Sequence, residues 1–202
     1  MEKEMIAVLD FGGQYNELIA RRIRDLSVYS ELLPFSTPIE KLKDKNIKGI
    51  IFTGGPRSVY ESDAPTIDNE IFNLGDPILG ICYGAQEIAY SLGGSVSQTS
   101  KKEFGLTKIT NIKNSPLFKD IPSNHDVFMS HGDSITKLPN GFEIIASSEN
   151  TPISAFANET LKLYGLQFHP EVNHSVYGNK ILENFVFEIA NCKPTWKMED
   201  FI

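Results

Sequence analysis

The stretch Pro77-Ile78-Leu79-Gly80-Ile81-Cys82-Tyr83-Gly84-Ala85-Gln86 constrains this chain more than any other. An apolar run ends at Ile81, and Glu87-Ile88-Ala89-Tyr90-Ser91-Leu92 continues with helical spacing. Cys82 is therefore expected in a sharp turn between a buried strand and a helix, a G-x-nucleophile-x-G elbow with a thiol in place of the hydroxyl. Gly80 and Gly84 meet the steric demand of such a turn, because their bare backbones let neighbouring chain come close. A thiol there lies at the positive end of the helix dipole, which favours the thiolate. The competing reading is an ordinary buried cysteine of an α/β core.

Two further stretches support the nucleophile. In Gly165-Leu166-Gln167-Phe168-His169-Pro170-Glu171-Val172, Pro170 biases His169 toward extended backbone. Residues two apart in an extended segment project the same way, so His169 and Glu171 should point together, an imidazole base with an orienting carboxylate. In Ile50-Ile51-Phe52-Thr53-Gly54-Gly55-Pro56, a strand ends at a Gly-Gly turn. An N–H of Gly54 or Gly55, together with that of Tyr83, would make the two donors of an oxyanion hole.

These stretches together resemble the class I, triad-type glutamine amidotransferases. Asp10-Phe11-Gly12-Gly13-Gln14-Tyr15, Ile19-Ala20-Arg21-Arg22, Ser130-His131-Gly132-Asp133 and Glu171-Val172-Asn173-His174 narrow the likeness to the glutaminase domains of GMP synthetases. The resemblance runs from about Ile6 to Ile202. It departs from the usual pattern at Ala85 (commonly Met), Phe104 (commonly Tyr) and Thr53 (commonly Ser), none of which removes a catalytic atom. It implies a triad of Cys82, His169 and Glu171, and an oxyanion hole at Gly55 and Tyr83. Glutamine would be bound by Gly54, Gln86, Ser130, His131, Gly132 and Asp133. It further implies a flavodoxin-like fold, no cofactor in this domain, and ammonia delivered to xanthosine monophosphate. ATP and Mg would be bound by a synthetase domain outside this chain, in a full enzyme that is a homodimer. The runner-up readings are an amidotransferase of anthranilate or carbamoyl phosphate synthesis, and a glutamine-responsive regulatory module. The intact Cys82, His169 and Glu171 argue against the second.

Bulk properties agree. The chain has 202 residues, enough for one sizeable core, with 41% hydrophobic and 22% charged residues. A net charge of −7 leaves no basic stripe for nucleic acid. No apolar stretch approaches the ~20 residues that span a bilayer, so no membrane segment is expected. The two cysteines, Cys82 and Cys192, lack a C-x-x-C spacing and fit a reducing, cytoplasmic setting.

Taken in order, Met5 to Asp10 reads as a buried strand, Tyr15 to Leu26 as an amphipathic helix, and Val28 to Leu33 as a strand stopped by Pro34. This βαβ unit lacks the full G-x-G-x-x-G, which argues against a dinucleotide fold with Glu31 on the ribose. Asn46 to Thr53 is the next strand, and 67–74 a short helix. After Gly93-Gly94, the partly alternating segments 106–110, 127–130, 143–146 and 153–157 suggest an antiparallel region. Residues 161–168 return to the core, and Ile181 to Ile189 form a last helix. The expectation is an α/β, doubly wound, mostly parallel sheet flanked by helices, with a smaller antiparallel region. Residues 1–191 would form the glutaminase domain. Residues 192–202, with the exposed-looking aromatics Trp196 and Phe201, would begin a connection to the synthetase domain. His125 reads as a surface residue. His174, five residues after His169, lacks the spacing of a zinc pair.

Overall fold

The computed structural model describes residues 3–201, and side chains from 3 to 199. The N-terminal half alternates strand and helix as its periodicity requires. Strand β1 (Met5–Asp10) leads to α1 (Asn16–Asp25), β2 (Tyr29–Pro34), α2 (Ile39–Lys43), β3 (Ile47–Phe52), β4 (Ile78–Ile81) and α3 (Tyr83–Ser91). The second half carries β5 (Ser95–Asn111), β6 (Asn124–Lys137), β7 (Glu143–Ser147), β8 (Ala155–Asn158) and β9 (Leu163–Leu166), then α4 (Gly178–Glu183). Among the described residues the strands form one sheet in the order β2-β1-β3-β4-β9-β8-β7-β5-β6. The first five in that order are parallel neighbours, and the remainder pair antiparallel.

Alternation along the parallel strands feeds two cores. Ile6 and Val8 of β1 join Leu79 and Ile81 of β4 beneath Ile19 and Ile23 of α1 and Ile181 and Leu182 of α4. Met5, Ala7 and Leu9 point the other way, toward Leu42 of α2 and Ile88 of α3. Helices thus cover both faces, and the sheet is doubly wound. Because parallel strands all run the same way, the turns after β1, β3, β4 and β9 gather at one edge, where the site lies.

Several local expectations are corrected. Strand β2 runs through Pro34, which pairs with Asp10. The strand is at the sheet edge, so the missing N–H breaks no ladder. The segment expected as a helix at 67–74 is a 3₁₀ turn over Asn69–Asn73. The segments 106–110 and 127–130 lie within the far longer β5 and β6, paired through a bulge between Gln98 and Glu103. The last helix changes to π geometry over Asn184–Ile189.

The exposure expected of Trp196 in the tail is also corrected. Trp196 is only 5% exposed. Its backbone N–H donates to the Ser27 carbonyl at 2.9 Å, and its ring lies 5.8 Å from that of Tyr29. Lys193 N–H reaches Glu4 at 3.1 Å. Cys192 and Trp196 are buried against the domain, with residues 193–195 between them exposed, and the Phe201 side chain lies outside those described. His125 is likewise buried, between Phe118 and Tyr177, with its Nε2 at 3.1 Å from Asn111.

Candidate active site

The elbow is present. Cys82 has φ 53° and ψ −107°, a conformation strained for any side chain, and stands at the N-terminus of α3. Neighbouring backbone fixes it there: its N–H donates to the Leu166 carbonyl at 2.7 Å, and its carbonyl accepts from Gln86 N–H at 3.1 Å. The glycines are used as the spacing predicts. A Cβ at Gly80 would lie 2.6 Å from Gly84 and Ala85 backbone, and one at Gly84 would lie 2.4 Å from the Phe52 carbonyl oxygen.

His169 follows β9, beside the elbow strand. Its Nδ1–H donates to Glu171 Oε1 at 2.7 Å, both side chains being buried. This leaves Nε2 for Cys82. Burial alone would lower the His169 pKa, but the Cys82 sulfur and the Glu171 carboxylate outweigh it and hold the ring's proton well above the ordinary imidazole range. Glu171 is fixed from behind, where Arg22 Nε–H donates to its carbonyl at 3.1 Å and the same guanidinium reaches Asn173 at 2.8 Å. The Ser175 hydroxyl donates to the His169 carbonyl at 2.6 Å and accepts from Phe128 N–H at 2.9 Å, anchoring the turn to β6.

The remaining predicted residues line the same cleft, of about 700 Å³. Gly54 faces Cys82 and His169, since a Cβ there would meet His169 Cε1 at 3.1 Å and Cys82 Cβ at 3.7 Å. Gly55 is pressed against the Phe11 carbonyl oxygen, 2.5 Å from where its Cβ would be. Thr53 supplies the hydroxyl expected of Ser, accepting from Phe11 N–H at 2.9 Å and donating to the Gly54 carbonyl at 3.0 Å. On the opposite wall, the Ser130 carbonyl lies 3.5 Å from the Cys82 sulfur. Gln86 is buried, and its Nε2 donates to the Asp133 carbonyl and to Gln167 Oε1, each at 3.1 Å. His131 Nδ1–H donates to the Asp133 carbonyl at 2.7 Å. Burial, with the charge of His169 adding to it, lowers the His131 pKa against the opposing pull of the Asp133 carbonyl and of the Glu103 and Asp133 carboxylates. His131 is a structural partner of the 131–133 turn. Gly132 is flanked by the Lys102 chain, which a Cβ would meet at 3.7 Å.

Residue reading missed Gln167. Its Nε2 donates to the Cys82 sulfur at 3.7 Å while its Oε1 accepts from Gln86, so it links Cys82 and the pocket wall. The available signal was its position two residues before His169, on the same face of the extended segment. Also unforeseen were Ser58 and Tyr60, whose hydroxyls both donate to the Asp133 carboxylate.

The family model for class I glutamine amidotransferases matches residues 7–189. The chain belongs to that family. It is 55% identical over all 202 residues to a GMP synthase [glutamine-hydrolyzing] of Caldicellulosiruptor saccharolyticus and 51% identical over 201 residues to one of Clostridium botulinum. It spans only 40% and 39% of the lengths of these relatives. A solved Thermoplasma acidophilum structure, assigned as a GMP synthase subunit, superposes with a TM-score of 0.80 at 35% identity, over 92% of this chain and 94% of that one. A glutamine amidotransferase of Thermotoga maritima shares the fold, with a TM-score of 0.69 at 23% identity over 96% of this chain and 88% of that one. Among the described residues no helix is long and apolar enough to cross a membrane.

The two cysteines should differ sharply in reactivity. Cys192 is buried, and its pKa is pushed up to about 12 by burial and the nearby Glu4 charge, so it holds its proton. Cys82 opens on the cleft. A glutamine-like diazo-ketone should label Cys82 alone and be blocked by glutamine, as read by peptide mass spectrometry. First modification at Cys192, indifferent to glutamine, would overturn the assignment.

Proposed function

We propose that this chain hydrolyses glutamine through Cys82, His169 and Glu171 and supplies the ammonia to a GMP-forming synthetase. The observation that carries the reading is a strained elbow cysteine beside an imidazole that is itself held at 2.7 Å by a buried carboxylate. Cys82 Sγ attacks the carbon of the side-chain amide, and the carbonyl oxygen becomes an oxyanion. The N–H groups of Tyr83 and of Gly55 or Gly54 are its donors. His169 Nε2 then protonates the departing nitrogen, the C–N bond breaks, and ammonia leaves a glutamyl thioester on Cys82. Water, giving a proton to His169, attacks the thioester and releases glutamate with the thiolate restored. Glu171 holds the ring's tautomer and balances its charge without exchanging a proton. Gln86, Ser130, His131, Gly132 and Asp133 surround the amino-acid end of the substrate.

The names of the relatives and the chain's 39–40% share of them favour the GMP branch over anthranilate or carbamoyl phosphate synthesis. On this reading ATP, Mg and xanthosine monophosphate bind a separate synthetase domain, the working assembly is a cytoplasmic homodimer, and this domain needs no cofactor.

Free ammonia is wasted unless an acceptor is ready, so turnover should be gated. A Gly54 or Gly55 peptide turned away removes one oxyanion donor, a loss that typically costs about 10²–10³ in rate. The test is steady-state glutamate release by this chain, alone and with the synthetase domain, ATP and xanthosine monophosphate. Slow hydrolysis alone, raised by the loaded partner and coupled to GMP formation, is expected. Full speed without the partner would overturn gating. No glutamate release in either condition would overturn the glutaminase reading.

A further inference from the structure

Asp133 joins the two walls of the cleft. Its carbonyl accepts from Gln86 and His131, as described above. Its carboxylate accepts from the Tyr60 hydroxyl at 2.8 Å and from the Ser58 hydroxyl, both carried by the loop that follows Gly54-Gly55. That loop is stiffened within itself. Arg57 Nε–H donates to Glu61 at 2.8 Å and its terminal nitrogen pairs with Asp63. Ser58 N–H reaches Glu61 Oε1 at 3.3 Å, and Glu61 N–H reaches the Ser58 carbonyl at 3.0 Å. The hydroxyls are thus presented by a braced turn.

A carboxylate offers about four lone-pair positions, so two hydroxyl donors fix its plane and leave acceptor capacity for a cationic donor. The amino-acid end of glutamine carries one such donor, its α-ammonium. We infer that Ser58 and Tyr60 are positioning residues that aim the Asp133 carboxylate at the substrate's α-ammonium and, through the same bonds, hold the Gly54-Gly55 loop over Cys82. This rests on the glutaminase reading and adds to it how the chain selects free α-amino acid amides. Recognition at one end of the substrate is mechanically joined to the oxyanion donors at the other. Loop bracing alone would have a different signature, because it would affect every amide substrate equally.

The experiment compares glutamine with 4-carbamoylbutanoate, the same amide without the α-amino group. The latter is followed as a substrate or, below detection, as a competitive inhibitor. The wild-type chain should prefer glutamine. Combining Ser58→Ala with Tyr60→Phe should reduce that preference about tenfold or more, the usual weight of hydrogen bonds that set a charged contact. Alkylation of Cys82 by iodoacetamide, which has no amino-acid end, should keep its rate. Ser58→Thr, which retains the hydroxyl, should keep the preference. An unchanged preference in the double variant, or equal losses with both substrates, would overturn the inference and leave the glutaminase reading standing. A wild-type chain that hydrolyses no glutamine, alone or with the loaded synthetase domain, would instead overturn that reading and the inference with it.

Discussion

Cys82→Ala and His169→Ala should each lose about 10⁴- to 10⁶-fold in glutamine turnover, and the double variant should lose little more. The near-equality follows from the arrangement. On the proposed mechanism the sulfur and the imidazole act on the same bond in sequence, so removing either leaves the other without a task. What remains after either loss is binding and the oxyanion donors. Glu171→Ala should cost clearly less, because the carboxylate orients and charges the ring without touching substrate. Its effect should still be substantial, since Glu171 holds the ring at 2.7 Å in a buried setting. Initial rates of glutamate release decide the order. Equal inactivity of Glu171→Ala and Cys82→Ala, with His169→Ala largely active, would reverse these roles.

Gly84→Ala should produce the largest loss of stability among conservative changes at the elbow. The added Cβ would lie 2.4 Å from the Phe52 carbonyl oxygen and 2.6 Å from Phe52 Cβ, and Phe52 is fully buried at the end of β3. Neither backbone has room to retreat, because β3 is paired on both sides by β1 and β4. Overpacking of this kind costs about 3 kcal/mol or more, which for a chain of this size lowers Tm by roughly 6–12 °C. The push is also directional. Phe52 leads straight into Thr53-Gly54, so the fraction that still folds should turn over slowly. Calorimetry and glutamate release on the same preparation test both halves. A variant with unchanged Tm and full turnover would show that the elbow has slack.

Local chemistry makes the arrangement of Cys82, His169 and Glu171 readable. Gly80 and Gly84 mark a turn that only a close backbone approach explains, and Pro170 extends the backbone that carries His169. The parallel half was equally readable, because strands buried on both faces are continuous apolar runs. What escaped depends on distant partners. Trp196 reads as exposed because nothing in the tail's own pattern shows that it folds back onto Ser27 and Tyr29. His125 is buried by Phe118 and Tyr177, one close in sequence and one far. Helix α2 is too short to build a periodic signal. The length of β5 and β6 comes from pairing with each other, which a bulge after Gln98 allows to continue. Gln167 and Tyr60 were hidden for a related reason: each gains its role from a side chain on another element.

The dihedral angles of Cys82 set the interests of folding against those of chemistry. A side chain held at φ 53° costs on the order of 1–3 kcal/mol, a cost that glycine would largely avoid. Selection for thermal robustness alone would therefore drift toward glycine at this position and, on the proposed mechanism, produce a sturdier protein without glutaminase activity. Heat tolerance in this fold must accordingly be sought at other positions, and a relative that has lost its thiol there has a thermodynamic reason to keep the replacement.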